Sequence, residues 1–324
     1  MILLLGAYAL LVACVIFFSA RLGYYVDLLD KKTTLASAFI GGVMLAAVTS
    51  LPEMFTSITS VATLGKPELV IGNVLGSDLF NTCVLGGVFL LWFKGLMQAK
   101  VTRSHLTTAA CVLIAYGILL AAMVAQNSLL LYGVSLTSLL LFGLYAWSVR
   151  KMSGDTDTAD AADVSPLSLR QVVVRFVIYA VLLVGASILI TYASDYLGTA
   201  LGWGTTFAGA ILLGIATSLP EMISCFVLAR IGNFNAMIGN IVGSNLFNFA
   251  ILLLADAVYW NRELYVFTPQ AQLLVVLGLI AAAAALGLAR LLCTREPGRR
   301  PGAMVALLSA VPVVTYVVFV VMSA

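Results

Sequence analysis

One block of residues occurs twice in this chain and restricts it more than any other feature. The first copy reads Thr49-Ser50-Leu51-Pro52-Glu53, followed by Gly72-Asn73-Val74-Leu75-Gly76-Ser77-Asp78-Leu79-Phe80-Asn81. The second reads Thr217-Ser218-Leu219-Pro220-Glu221, followed by Gly239-Asn240-Ile241-Val242-Gly243-Ser244-Asn245-Leu246-Phe247-Asn248. In each copy a proline and an acid interrupt a long apolar run, and the next apolar run carries Gly, Ser and Asn on a repeated spacing. The offset is 168 at Glu53/Glu221 and 167 at Asn81/Asn248.

Apolar runs recur from end to end. The chain has 324 residues, 62% hydrophobic and 10% charged, against roughly 25% charged in soluble domains. It therefore reads as an all-α integral membrane protein. A helix needs about 20 apolar residues to cross a bilayer. That ruler gives ten spans, near 2–20, 34–63, 67–93, 105–124, 128–149, 169–193, 202–229, 235–260, 269–292 and 303–322. The first is expected to be a retained helix, because it lacks a basic leader and a good cleavage site. Spans 34–63 and 202–229 exceed the bilayer thickness and are expected to tilt or break.

The basic residues test the count. All of the 17 Lys and Arg except Lys66 and Arg262 fall in odd-numbered loops or at their edges. The positive-inside rule then puts odd loops in the cytoplasm and both termini outside a cell membrane. The net charge of +3 and the lack of a basic, aromatic-interleaved patch exclude nucleic acid as a partner. Cys14, Cys83, Cys111, Cys225 and Cys293 lie in apolar runs without a CxxC pair and read as core residues. His105 is the single histidine, which excludes a His-based metal centre.

Residues 1–152 form one half, 153–168 an acidic cytoplasmic linker and 169–324 the other half. Asp155-Thr156-Asp157 in the linker faintly resembles a calcium loop but lacks its glycine and closing glutamate. Asp195 and Asp256 sit near span ends and read as interfacial. Five spans per half is an odd number, so the second half enters the membrane upside down. The expected architecture is two inverted five-helix repeats with broken helices at an ion site near the midplane, the plan of secondary transporters.

The chemistry follows from the breaks. Pro52 and Pro220 remove helical hydrogen bonds and free carbonyls close to Val48 and Ala216, which must be satisfied inside lipid. A hard cation does so and takes carboxylate, carbonyl and hydroxyl oxygens. Glu53 and Glu221 supply the carboxylates, and Thr49, Ser50, Thr217 and Ser218 the hydroxyls. The Gly72/Gly76 and Gly239/Gly243 pairs permit close backbone approach and bring Ser77, Asn81, Ser244 and Asn248 near the glutamates. An acid at the bilayer centre costs about 2.5–3.5 kcal/mol on insertion scales, so two at matched positions imply function. Asp78, whose counterpart is Asn245, is a third carboxylate for the ions, a proton carrier or a protonated acid bonded to a neighbour.

At these residues the chain resembles the sodium/calcium exchanger family of cation/Ca²⁺ antiporters. The blocks near 36–92 and 204–255 look like that family's two α-repeats, and the ten-span plan covers nearly the whole chain. The resemblance implies a central Ca²⁺ site on Glu53 and Glu221. It implies flanking Na⁺ sites on Thr49, Ser50, Thr217, Ser218, Ser77, Asn81, Ser244 and Asn248. Ca²⁺ and Na⁺ are cargo, with no resident cofactor and no obligatory protein partner. The resemblance further implies that the long first and sixth spans slide as a gate. This chain departs from the family in having Val48 and Ala216 where Gly is usual and Asp78 where a neutral residue is usual. Asn248, where potassium-dependent members have Asp, argues against potassium dependence. The coupling ion stays open between Na⁺, giving Ca²⁺ efflux, and H⁺, with Asp78 as carrier. The chain is not expected to be an enzyme: an intramembrane aspartyl protease would need two catalytic aspartates. A channel would need no countergradient.

Overall fold

The computed structural model describes residues 2–32, 49–99, 101–125, 129–152 and 167–323. The N-terminal part of the expected second span, with Val48, and residues 153–166 of the expected linker lie outside the described residues. In chain order the helices are α1 (Ile2–Lys32), α2 (Leu51–Ala62), α3 (Pro67–Leu91), α4 (Phe93–Gln98), α5 (Ser104–Ala125) and α6 (Leu136–Met152). They continue with α7 (Leu169–Leu201), α8 (Thr205–Ala208), α9 (Gly214–Arg230), α10 (Phe234–Val258), α11 (Pro269–Thr294) and α12 (Gly302–Ser323). A π-helical turn, Gly209–Leu213, joins α8 to α9. Eight helical segments among the described residues are long and apolar enough to cross a membrane. The protein is a multi-pass, all-helical membrane protein, with one short hairpin among the described residues.

Local chemistry sets the ends of these helices. Ser168 and Gln171 form a reciprocal cap at the start of α7, Ser168 Oγ accepting from Gln171 N at 3.3 Å and Gln171 Oε1 from Ser168 N at 2.9 Å. Thr268 caps α11 ahead of Pro269, and Asn233 caps α10. Gly65 (φ 63°) and Gly232 (φ 78°) occupy the same place in the two halves, between the Pro-Glu helix and the motif helix that follows. Each turns the chain through the left-handed region, which glycine adopts without cost.

The packing repeats as the sequence does. Helix α3 packs on α9, α10, α11 and α12, while α10 packs on α2, α3, α5 and α6. Exchanging each helix for its partner in the other half converts one set into the other. These two are the most buried spans and form the centre. The long helices α1 and α7 lie outside them and pack chiefly on each other. Val15, Leu22, Leu183, Ala186 and Ile190 make a separate apolar cluster there, and Tyr25 stacks on Tyr179 at 5.7 Å.

Two expectations need correction. The fifth span does not begin at 128. Leu130–Leu131 and Val134–Ser135 form a hairpin, because Tyr132 (φ 50°) and Gly133 (φ 82°) take the left-handed conformations of a tight turn. Asp256 of α10 fixes the start of α6, accepting from Ser135 N at 2.7 Å and Ser138 Oγ at 2.6 Å. Asp256, near the end of α10, is therefore a fully buried capping acid. The second correction concerns Pro220, which sits inside a continuous α9. In the other half Gly239 meets the edge of the His105 ring, and the counterpart of the Thr206–Ala210 stretch, at 38–42, lies outside the described residues.

A π-turn interrupts the helical ladder just before α9 and leaves carbonyls there for side chains to satisfy. Three consecutive carbonyls here are held by side chains: Leu212 O by Tyr8 Oη at 2.6 Å, Leu213 O by Thr217 Oγ1 at 2.9 Å and Gly214 O by Ser77 Oγ at 3.2 Å. In the first half Pro52 instead lies in the opening turn of α2, after Ser50.

Candidate cation site

Helices α2 and α9 carry the two glutamates, and α3 and α10 complete the surroundings. The close approach of α3 makes this geometry. A Cβ on Gly72 would fall 2.1 Å from Thr206 O, and one on Gly76 would fall 2.4 Å from Ala210 Cα. Reciprocally, a Cβ on Gly214 would fall 2.9 Å from Ser77 N. Helix α3 thus lies backbone to backbone on the α8–α9 segment, a contact that only glycine permits.

Each glutamate meets the Thr-Ser pair of the opposite half. Ser218 Oγ donates to Glu53 Oε1 at 3.1 Å, and Thr217 stands beside the same carboxylate. Thr49, Ser244 and Ser50 are the hydroxyl neighbours of Glu221, whose carboxylate oxygens accept no hydrogen bond among the described residues. Glu53 and Glu221 are 1% and 0% exposed and close enough to repel each other. Two like charges with so little solvent are unfavourable unless a cation or protons neutralise them.

The motif asparagines join α3 to α10. Asn81 Nδ2 donates to Asn245 Oδ1 at 3.0 Å, and Asn248 Nδ2 donates to Asp78 Oδ1 at 2.8 Å. Asn245 Nδ2 donates to Asp78 O at 3.2 Å and to Thr82 Oγ1 at 3.0 Å. Asp78 also lies within electrostatic range of the buried Tyr116 phenol of α5. Among the described residues no three His, Cys, Asp or Glu side chains gather at one point. Asp78 therefore does not join the glutamates as a third carboxylate in one cluster.

The unpartnered atoms define what the site accepts. Among the described residues, Ser50 Oγ, Glu53 Oε2, Asp78 Oδ2, Asn81 Oδ1, both Glu221 carboxylate oxygens, Ser244 Oγ and Asn248 Oδ1 are buried without a hydrogen-bond partner, as are Asn73 Oδ1 and Asn240 Nδ2 of the duplicated blocks. Buried carboxylate, amide and hydroxyl oxygens are the donors a hard cation takes, and unpaired they cost free energy. Of the expected residues, Thr217 and Ser218 stand beside Glu53, and Thr49, Ser50 and Ser244 beside Glu221, while Ser77 donates to Gly214 O, Asn81 to Asn245 and Asn248 to Asp78.

Asn73 and Asn245 were not among the expected site residues. Asn73 Nδ2 donates to Glu53 O at 3.2 Å, Thr56 Oγ1 at 3.0 Å and Ser57 Oγ at 3.0 Å. It clamps α3 onto the turn that carries Glu53. Both asparagines belong to the duplicated block, so the repeat itself marked them, but a cation-ligand search has no reason to choose an amide nitrogen.

The chain belongs to the sodium/calcium exchanger protein family, whose profile matches residues 3–150 and 171–324. This is a family of transporters. Among relatives, CaxA of Alkalimonas amylolytica, an antiporter by name, is 25% identical over 271 residues, covering 80% of this chain and 84% of that protein. The inner membrane protein YrbG of Escherichia coli (strain K12) is 23% identical over 299 residues, covering 90% and 89%. Two solved structures share the fold. The sodium-calcium exchanger NCX_Mj, soaked with Na⁺ and Sr²⁺, has a TM-score of 0.60 at 20% identity, with 99% of each chain covered. The H⁺/Ca²⁺ exchanger CAX has a TM-score of 0.67 at 13% identity, covering 99% of this chain and 88% of that one.

Proposed function

We propose that this protein is a secondary active antiporter that exchanges Ca²⁺ for Na⁺ by alternating access and serves Ca²⁺ efflux. Glu53 and Glu221 hold the Ca²⁺. Thr49, Ser50, Thr217, Ser218, Ser77, Asn81, Ser244 and Asn248 supply neutral oxygens to Ca²⁺ and to the Na⁺ ions that compete with it. The observation that carries this reading is the crosswise site, in which each glutamate faces the Thr-Ser pair of the other half. A site divided between two halves opens to one side or the other when the halves move. An empty site leaves two carboxylates facing each other in low dielectric, so loaded states cross more readily than the empty one, and exchange results.

The same reading includes ten membrane helices in two inverted five-helix repeats, 1–152 and 169–324, joined by an acidic cytoplasmic linker, 153–168. Matched packing of α3 and α10 supports it, as does the bias of basic residues to alternate loops. Both termini then lie outside the cell membrane. The α1/α7 pair, with its own apolar cluster, is the element that slides.

A second reading is proton-coupled exchange of Ca²⁺ or another divalent cation. Asp78, a buried acid with one unpartnered oxygen, favours it, as does likeness to a structure named for H⁺/Ca²⁺ exchange. Radiolabelled Ca²⁺ uptake into proteoliposomes separates the two. Uptake that requires internal Na⁺ and is lost in Glu53→Gln supports the first reading. Uptake driven by a pH jump without Na⁺ transfers the coupling to protons. Uptake without any countergradient rejects antiport.

A further inference from the structure

We propose that Asp78 and Asn245 are positioning residues. Each anchors the amide nitrogen of one asparagine, Asn248 and Asn81 respectively, and so turns that asparagine's oxygen to the cation. The inference rests on the antiport reading above and assigns a role to the residues behind its ligands.

The orientation of an asparagine amide is set by what its nitrogen and oxygen can bond. The fixed point is the main-chain carbonyl of Asp78, which only accepts. Asn245 points its Nδ2 at that carbonyl, 3.2 Å away. Thr82 Oγ1 spends its proton on the same carbonyl at 2.7 Å, so it too accepts from Asn245 Nδ2, at 3.0 Å. Asn245 Oδ1 is left facing Asn81 and requires a donor, which Asn81 Nδ2 supplies at 3.0 Å. Asn81 Oδ1 then has no partner and is 1% exposed at the residue level.

The other half reaches the same result with one different residue. Asp78 Oδ1 takes the Nδ2 of Asn248 at 2.8 Å, and Asn248 Oδ1 remains buried and unpartnered. Asn81 and Asn248 each lie one helical turn beyond Ser77 and Ser244, on the same helix face. Ser244 borders Glu221. Without its anchor either amide would be free to present nitrogen, a cation-repelling donor, in place of oxygen. Asp78 and Asn245 share the acceptor oxygen and differ in charge. The acceptor is therefore the property the position requires.

The test compares Asp78→Asn, which keeps an acceptor and loses the charge, with Asp78→Leu, which loses both. The readouts are KM and kcat for Ca²⁺ in Na⁺-driven exchange, with thermal melting in detergent as a check on folding. Asp78→Asn is expected to stay within about threefold of the parent in KM. Asp78→Leu is expected to raise KM about 10–100-fold, the usual cost of losing a partner behind a metal ligand, with kcat at saturating Ca²⁺ little changed. If Asp78→Asn is as impaired as Asp78→Leu, the charge itself is required and the proposal is overturned. If Asp78→Leu melts early, Asn245→Leu carries the same expectation for Asn81, and parental KM in that variant overturns the proposal. A parent protein without saturable Ca²⁺ transport would overturn the antiport reading and this inference with it, an outcome distinct from failure of the variants alone.

Discussion

Ser218 donates its hydroxyl proton to Glu53 across 165 residues of chain, at 3.1 Å. Two parts of the sequence that never meet locally thereby share one buried charge. Ser218 belongs to the helix that carries Glu221, so each glutamate's surroundings depend on the position of the other's helix.

The first prediction concerns that pair of acids. Glu53→Gln and Glu221→Gln are each expected to reduce Ca²⁺ transport by more than about 100-fold, beyond the cost of losing an outer partner. The parent is expected to melt higher as Ca²⁺ is added, because a ligand of the folded state stabilises it by mass action. Both variants should fold and lose that Ca²⁺-dependent rise. A variant that keeps the rise would remove its glutamate from the site.

Helix contact gives the second. A methyl group on Gly72 or Gly76 would overlap Thr206 O or Ala210 Cα, both backbone atoms. Gly72→Ala and Gly76→Ala are expected to cost about 1–3 kcal/mol, as overpacking does, and to displace Ser77 from Gly214. Gly117→Ala on α5, with nothing within 4 Å, should leave the melting temperature unchanged or slightly raised through helix propensity. Thermal unfolding in detergent compares the three.

Arg300 supports the third. Its buried guanidinium donates to Leu96 O at 2.7 Å, Ala99 O at 2.7 Å and Leu292 O at 2.8 Å, tying together α4, the end of α11 and the start of α12. Arg300→Leu strands those carbonyls and is expected to destabilise by about 1.5–3 kcal/mol, the scale of a charged hydrogen bond. Arg300→Lys should recover little, because one ammonium does not reproduce a planar fork. Equal melting of the parent and Arg300→Lys would refute the clamp.

The ion pair between Lys66 and Asp195, 2.5 Å apart, yields the fourth. It joins the turn before α3 to α7, but the Lys66 side chain is 36% exposed. A pair so hydrated contributes about 0–1 kcal/mol. Lys66→Met, Asp195→Asn and the double variant are each expected to shift stability by less than about 1 kcal/mol, and raised salt should shrink the difference. A coupling energy above that range in the double-mutant cycle would contradict the expectation.

The candidate site was legible because its chemistry demands particular residues at fixed spacing. A carboxylate beside a proline, with hydroxyls before it and amides a helix later, has few other uses in lipid, and the chain writes this twice. What escaped depends on non-local contacts. The π-turn before α9 has its carbonyls held by Tyr8, Thr217 and Ser77, and Tyr8 stands more than 200 positions away. The hairpin at 130–135 was hidden in an apolar run, since hydropathy does not register a Tyr-Gly turn. Asp78 was legible as an exception to the repeat, but its partner Asn248 lies on another helix, and only the folded chain brings them within a hydrogen bond.

The crosswise arrangement of Glu53 and Glu221 also has a consequence for inheritance. Residues 49 and 50 surround the acid at 221, and residues 217 and 218 attend the acid at 53. Selection acting on either acid is thus felt by codons in the opposite half of the gene. A change to the Thr-Ser pair of one half therefore alters the surroundings of the acid in the other.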